Sequence, residues 1–458
     1  IVDTLVSRYN YHPGTYGEAN NVRKSNKIFA RLDYHVSQNL QLTLRNNTVI
    51  ASANSLERNA NLLTFGSQGF THHSMTNGTV FEMKQRLKNR KSNHLIAGVN
   101  IVNDFRDYSG RVFPHIDIKY NTANTILLGT YREASIYGLG LHTYQLSDNF
   151  KIHRKKHKIT LGTNNELYDI EYRFLTAWNG RWEYKSLDNF FDNTPSRIRG
   201  VYNTENNDFE YNRNTPSADF LVALISAYAQ DEWKVNKRFS LTYGLRMDLQ
   251  WVPFEFPVNE SFKSTPEFAH FSNQLKPVPD VNPRLSFRYV LDEKEKQSLR
   301  GGSGLFTGRI PFAWYAYGYY ISGTTYGNID YKPTGAFPIE EDLSQLASLQ
   351  PNLTEINIVD NNFRLPRQWR SSLSYEYKLK DGWVLGASGL YSKSLREIQI
   401  KSINLKDETA RFNGADDREY YVNSGNAKKI NPNFTNVFLL TNTSLGYAYN
   451  FTVSLSKK

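Results

Sequence analysis

The sequence predicts an all-β chain folded as a transmembrane antiparallel β-barrel with long loops. Three observations carry that expectation: strands with one apolar and one polar face, connections that alternate between short and long, and no apolar run long enough for a membrane helix. The first is plainest in AQDEWKVNKRFSLTYGLRMD (Ala229–Asp248), which reads as one hairpin. Phe239, Leu241, Tyr243, Leu245, Met247 and Leu249 fall on one face, while Ser240, Thr242, Gly244, Arg246, Asp248 and Gln250 fall on the other. In the first arm Ala223, Ile225, Ala227 and Ala229 take the apolar face. Trp233 and Phe239 are expected to meet beside the turn Val235-Asn236-Lys237, as part of an aromatic girdle at a membrane interface.

The chain has 458 residues, and no Pro/Ser-rich linker divides it, so one large architecture over 1–458 is expected. Its longest clean apolar run, Phe220–Ala229 with one serine, falls far short of the ~20 residues a membrane helix needs. That length suits the ~9–11 residues of a tilted transmembrane strand, whose lumen-facing residues keep mean hydropathy low, here −0.58. Aromatics make up 14%, which fits rings at two membrane interfaces and in binding loops. With no cysteine, disulfides, thiolate metal sites and cysteine nucleophiles are excluded together. The net charge of +11 could suit nucleic acid, but its densest cluster, KIHRKKHK (Lys151–Lys158), lies between two alternating strands and reads as a solvated turn. No nucleic-acid partner is therefore expected.

Strand pairs recur along the chain. Ile28, Ala30, Leu32, Tyr34 and Val36 alternate with Phe29, Arg31, Asp33 and His35, and after Gln38-Asn39 the return strand sets Leu40, Leu42 and Leu44 against Gln41, Thr43 and Arg45. Similar pairs flank turns near Arg90, Lys155, Asn236, Glu293 and Asp381. Between them lie long polar segments, roughly Ser52–Thr76, Asp104–Ile136, Tyr172–Asp219, Pro253–Val281, Gly308–Pro366 and Lys401–Thr435. Compact soluble domains rarely repeat loops beyond ~12–15 residues, whereas outer-membrane barrels join short periplasmic turns to long extracellular loops. About 13 strands are counted, the last being Val437–Ser456. Single-chain bacterial barrels have even strand numbers, so further strands are expected beyond this sequence. Closure is required because every backbone N–H and C=O in lipid must be paired.

The hairpin AQDEWKVNKRFSLTYGLRMD resembles one common in TonB-dependent outer-membrane receptors. KIFARLDYHVSQNLQLTLRNN, YQLSDNFKI with HKITLGTNNELY, NPRLSFRY with LRGGSGLFTGRIPFAW, and LLTNTSLGYAYNFTVSLSKK extend the resemblance to the Oar-like, carboxypeptidase-regulatory-like branch of Bacteroidota. The resemblance implies a barrel of about 22 strands, occluded by an N-terminal plug and opened by TonB–ExbB–ExbD using the proton-motive force. It covers the barrel portion; the plug, the TonB box, a carboxypeptidase-like β-sandwich and the closing strands are not found in this sequence. It further implies an active importer in the outer membrane, surrounded by lipid, with peptide or protein cargo and a surface lipoprotein or secretion-complex partner.

No catalytic signature is present, and no cofactor or metal is expected. RGGSGLFTGR (Arg300–Arg309) lacks phosphate-loop spacing; its glycines are expected to allow bending or close approach within a strand, so valine at Gly302 or Gly304 should impair assembly. His72, His73, His94, His142 and His270 show no zinc-like spacing, and Asp188, Asp192, Asp208, Asp416 and Asp417 match no calcium loop. GRIPFAWYAYGYYISGTTYGNIDY (Gly308–Tyr331) is the candidate ligand-contact loop, through Phe312, Trp314, Tyr315, Tyr317, Tyr319, Tyr320 and Tyr326. The competing reading makes these rings part of the outer girdle and of the loop's own packing. Trp178, Trp182 and Tyr184 form a second candidate, and IEEDLSQLASLQ (Ile339–Gln350) reads as a short loop helix. Two other classes stay open: a passive or structural outer-membrane barrel subunit, and a soluble all-β glycan-binding protein with its apolar faces turned inward.

Overall fold

The computed structural model describes residues 1–133, 135–203, 217–324, 326–340, 343, 346, 354–406 and 410–457. The dominant element is one antiparallel sheet in which each long strand pairs with the next in sequence. Its strands are β1 (Arg23–Ser37), β2 (Leu40–Ser55), β3 (Phe70–Leu87), β4 (Lys91–Tyr108), β5 (Ile136–Arg154), β6 (His157–Leu175) and β7 (Ala218–Lys234). They continue as β8 (Phe239–Trp251), β9 (Asp280–Val290), β10 (Gln297–Thr307), β11 (Arg367–Lys378) and β12 (Trp383–Ser402). Phe434–Thr443 and Tyr447–Lys457 both pair with β12, at its two ends, and so form one thirteenth track, β13. Thr354–Val359 adds a short parallel strand beside Phe434–Thr443. The count of thirteen tracks read from the sequence is the count observed, and the sheet does not close on itself among the described residues.

Register places the apolar residues together. Ala229 faces Leu245, Ala227 faces Met247 and Ile225 faces Leu249, while Ser226 faces Asp248 and Tyr228 faces Arg246. On the apolar side Leu245 and Met247 are 52% and 47% exposed. On the other side the Arg246 and Asp248 side chains are only 26% and 18% exposed. Water-soluble folds show the opposite order, so the outer solvent of this sheet is hydrocarbon. The same stripe runs along β13 as Tyr447, Tyr449, Phe451, Val453 and Leu455, all exposed. The reading of inward-turned apolar faces is thereby excluded for this sheet.

At one end the strands are joined by connections of two to six residues. Left-handed backbone at Asn89, Arg90, Lys155, Glu295 and Asp381 closes four of them. KIHRKKHK is such a turn: Lys155 is left-handed, Lys158 pairs with Glu232 at 2.8 Å and His157 with Asp231 at 2.6 Å. Trp233 and Phe239 do lie at this end, but not against each other as the sequence suggested. Trp233 is in register with Leu241 and stacks on His157, while Phe239 lies edge-on to Tyr289. The connection is one residue longer than expected, because Asn236 caps it by accepting from the Arg238 and Phe239 amides.

At the other end the long connections fold together. A six-stranded sheet is assembled from four of them, in the order Tyr326–Tyr331, Arg197–Asn203, Arg181–Tyr184, His115–Lys119, Thr125–Leu128 and Leu62–Thr64. One face of this loop sheet is apolar: Ile116, Ile118, Trp182, Tyr184, Ile198 and Ile329 are buried beneath Leu5 of the helix Val2–Tyr9, Tyr11, Phe113 and Phe190. Each such side chain contributes about 1.5–3 kcal/mol on burial, so this cap has a core of its own. Leu343 and Leu346 of the expected short loop helix are buried there; Leu349 lies outside the described residues, as does Asp208.

Candidate functional site

The site is built where the loop sheet meets the barrel mouth. Because strand side chains alternate, the loop sheet's second face carries the odd-numbered residues His115, Asp117, Arg181, Glu183, Arg197 and Arg199. Across the strands, Arg181 lies beside His115 and Arg199, Glu183 beside Asp117 and Arg197, and Arg199 beside Asp330. Pairs of opposite charge follow, across the strands and, for Arg181 and Glu183, along one of them. Arg181 reaches Asp117 through Nε at 2.9 Å and Glu183 at 3.2 Å; Arg199 Nε reaches Glu183 at 2.8 Å. Arg197 clasps Asp330 with two bonds of 2.7 Å. That fork holds the Asp330 carboxyl below its ordinary range. Burial pushes the Arg181 guanidinium down, against the pull of Asp117.

Beneath this ladder lies a cavity of ≈ 860 Å³. Its walls take Arg132, Arg181, Arg197, Arg199 and Asp330 from the cap side, and Phe174, Tyr317, Glu355, Asn357 and Asn436 from the barrel mouth. Glu355 stands at an irregularity in the sheet, where it alone faces Thr435 and Asn436. Such a two-against-one bulge re-aims a side chain. Its carboxylate accepts from the side-chain amides of Asn357 (3.0 Å) and Asn436 (3.4 Å).

Two buried groups, His115 beside the charged ladder and Asp280 away from this cavity, were missed in the sequence. His115, 1% exposed, accepts at Nδ1 from the Gln68 amide at 3.0 Å, which assigns its proton to Nε2, 3.9 Å from Asp117. Burial, and then the Arg132 and Arg181 charges, hold its pKa well below the ordinary histidine value. Asp280, at the barrel mouth, is gripped by Arg364 and Arg396 at 2.5 Å each and by Arg367 at 3.7 Å. The only local signal for either was a charged residue within a loop.

The aromatic loop divides. Residues Ala313–Tyr320 form a helix packed against β7 and the short strand Thr354–Val359, with Tyr315 and Tyr320 fully buried. Tyr315 accepts from Gln250 at 2.6 Å, and Tyr320 donates to the Phe174 carbonyl at 3.0 Å. Phe312, Trp314, Tyr317 and Tyr319 are partly buried against the same core, and Tyr317 is the ring that reaches the cavity. Tyr326 begins the edge strand of the loop sheet, in register with Asn203. A helix presents only one stripe to a cavity, so the other rings of Ala313–Tyr320 pack into the core. Trp178, Trp182 and Tyr184 are likewise core residues. The histidines form ordinary contacts instead of a cluster: His94 meets Glu82 at 2.6 Å, His73 meets Asp107 at 3.0 Å, and among the described residues no group of three metal-ligating side chains converges.

A family model described as outer membrane beta barrel domain matches residues 6–454. Among solved structures, the chain is similar to the outer membrane transporter YddB from Escherichia coli, with 10% identity and a TM-score of 0.58 over 95% of this chain and 45% of that one. It is also similar to the siderophore receptor PirA from Acinetobacter baumannii, with 12% identity and a TM-score of 0.50 over 97% and 52% of the two chains. The copper transporter OprC gives 10% identity and a TM-score of 0.50 over 94% and 50%. Comparison with curated proteins gives no match. At these identities the likeness is one of fold, and this chain spans about half the length of each of those structures.

Proposed function

The chain belongs to the outer membrane β-barrel domain family and lies in the outer membrane of a Gram-negative bacterium, and on that premise we propose that it is the barrel portion of a TonB-dependent receptor that imports a ligand captured under its loop sheet. The observation that carries this reading is the cavity of ≈ 860 Å³ between a packed cap and the barrel mouth. A freely conducting pore needs an open mouth, whereas a structured lid with a polar underside suits capture before transport. Within the aromatic loop, ligand contact is assigned to Tyr317, with Phe312, Trp314 and Tyr319 shaping its surroundings and Tyr315 and Tyr320 holding the helix in place. Trp233 and Phe239, beside the short turns, are assigned to the periplasmic girdle.

Energy would come from TonB–ExbB–ExbD acting through a plug, and an Oar-like relationship with peptide or protein cargo and a surface lipoprotein or secretion-complex partner is part of the same proposal. The test compares which solutes of a peptide-rich medium are depleted by cells with and without the full-length protein, each with and without TonB. Import requires depletion that needs both proteins. Depletion that persists without TonB would instead make this a passive barrel.

A further inference from the structure

The charges around the cavity are unequally committed. Among the described residues, each of the four guanidiniums that line it already faces a carboxylate: Arg181 on Asp117, Arg199 on Glu183, Arg197 on Asp330, and Arg132 on Glu133 at 2.9 Å. Within each pair the two charges largely offset one another, so neither an anion nor a cation gains a full Coulombic attraction from them. Glu355 is in the opposite position. Its two partners, Asn357 and Asn436, are neutral amides, and among the described residues no cation pairs with it. A carboxylate has about four acceptor directions, so part of its capacity is left to whatever enters the cavity.

We propose that the cavity selects a ligand carrying a cationic group, an ammonium or a guanidinium, which docks on Glu355 while its apolar stem lies along Phe174, Ile321 and Phe438. The position supports this in two ways. The bulge opposite Thr435 and Asn436 turns Glu355 into the cavity, and the two amides orient its carboxylate without neutralising it. Each arginine that lines the cavity among the described residues already meets a carboxylate that offsets its charge, whereas the charge of Glu355 is offset by no cation. The volume of ≈ 860 Å³ is of the size that holds a small molecule or short peptide, since ligand sites run to about 300–1,000 Å³.

This inference names the ligand class of the site assigned above and rests on that reading for its meaning, although its test needs no transport. The full-length protein in detergent is titrated with labelled tri-lysine, tri-alanine and tri-glutamate. Tri-lysine is expected to bind about tenfold or more tightly than tri-alanine, with tri-glutamate the weakest; about tenfold corresponds to one charged contact of ~1.4 kcal/mol. Glu355→Gln, which keeps a carbonyl for the two amides, should abolish that preference while the folded gel band is retained. Equal binding of the three peptides, tighter tri-glutamate binding, or an unchanged preference in Glu355→Gln overturns the proposal. If that variant does not reach the folded band, Asn357→Asp is read instead. A second carboxylate beside Glu355 should tighten tri-lysine binding, and no tightening overturns the proposal. A tri-lysine preference without TonB-dependent depletion would sink the import reading alone; TonB-dependent depletion without the preference would sink this inference alone.

Discussion

His115 shows what a single side chain does to this cap. It is buried as the neutral imidazole, and its pKa is held well below 6.5, first by desolvation and then by the neighbouring arginines. A group whose folded pKa is depressed takes up protons more readily when unfolded. Its penalty is therefore absent above the unfolded value of about 6.5 and grows as pH falls below it, by about 1.4 kcal/mol per pH unit until the folded pKa is reached. Protease resistance of the loop segment 109–135 should accordingly fall between pH 7 and pH 5 in the wild type. His115→Gln keeps a partner for Gln68 and should flatten that dependence. Equal pH profiles for the two proteins would remove His115 from the account.

At the scale of elements, glycine and register decide what can assemble. Gly244 points inward from β8, and a methyl group there would lie 2.7 Å from the Ala229 carbonyl oxygen, which is backbone and cannot swing aside. Gly244→Val is expected to abolish the heat-modifiable folded band, the usual sign of a formed barrel. The glycines singled out in the sequence are less crowded: a methyl at Gly302 meets Ser286 Cβ at 3.3 Å, and one at Gly304 meets Arg284 Cγ at 3.0 Å. Valine at Gly302 should therefore assemble better than valine at Gly244, and a reversed order would contradict the register. The short strands of the cap also left a trace in the sequence. HIDIK, RWEY, RIRG and NIDY each alternate polar and apolar residues, but runs of four or five are too brief to outweigh the Gly and Asn around them. Those segments therefore read as loops, and the charged ladder stayed hidden.

For the whole molecule, the consequence of facing lipid is a reversed rule for polar substitutions. Leu245, half exposed on the outer face, should tolerate phenylalanine but not lysine. A lysine at mid-bilayer on a barrel's lipid face costs about 2–4 kcal/mol, falling to about 0–1 near the interfaces. Urea unfolding in lipid vesicles would measure this, and a neutral Leu245→Lys would mean that the face meets water. Lysine at Thr242, on the opposite face, should cost much less.

Much of this architecture was legible in the sequence. Side-chain alternation has a period of two whatever the strand pairs with, so AQDEWKVNKRFSLTYGLRMD by itself determined which residues share the apolar face, and their exposure in the fold decided that this face meets hydrocarbon. Short turns and long connections likewise set the topology and the track count. Tertiary structure alone decided the site. The loop sheet joins strands from residues 62 to 331, and pairing across such separations is fixed by shared burial of Ile116, Trp182, Ile198 and Ile329, which no local pattern encodes. The same long-range packing buried Tyr315 and Tyr320, paired Arg181 with Asp117 and Arg197 with Asp330, and left Glu355 facing only amides.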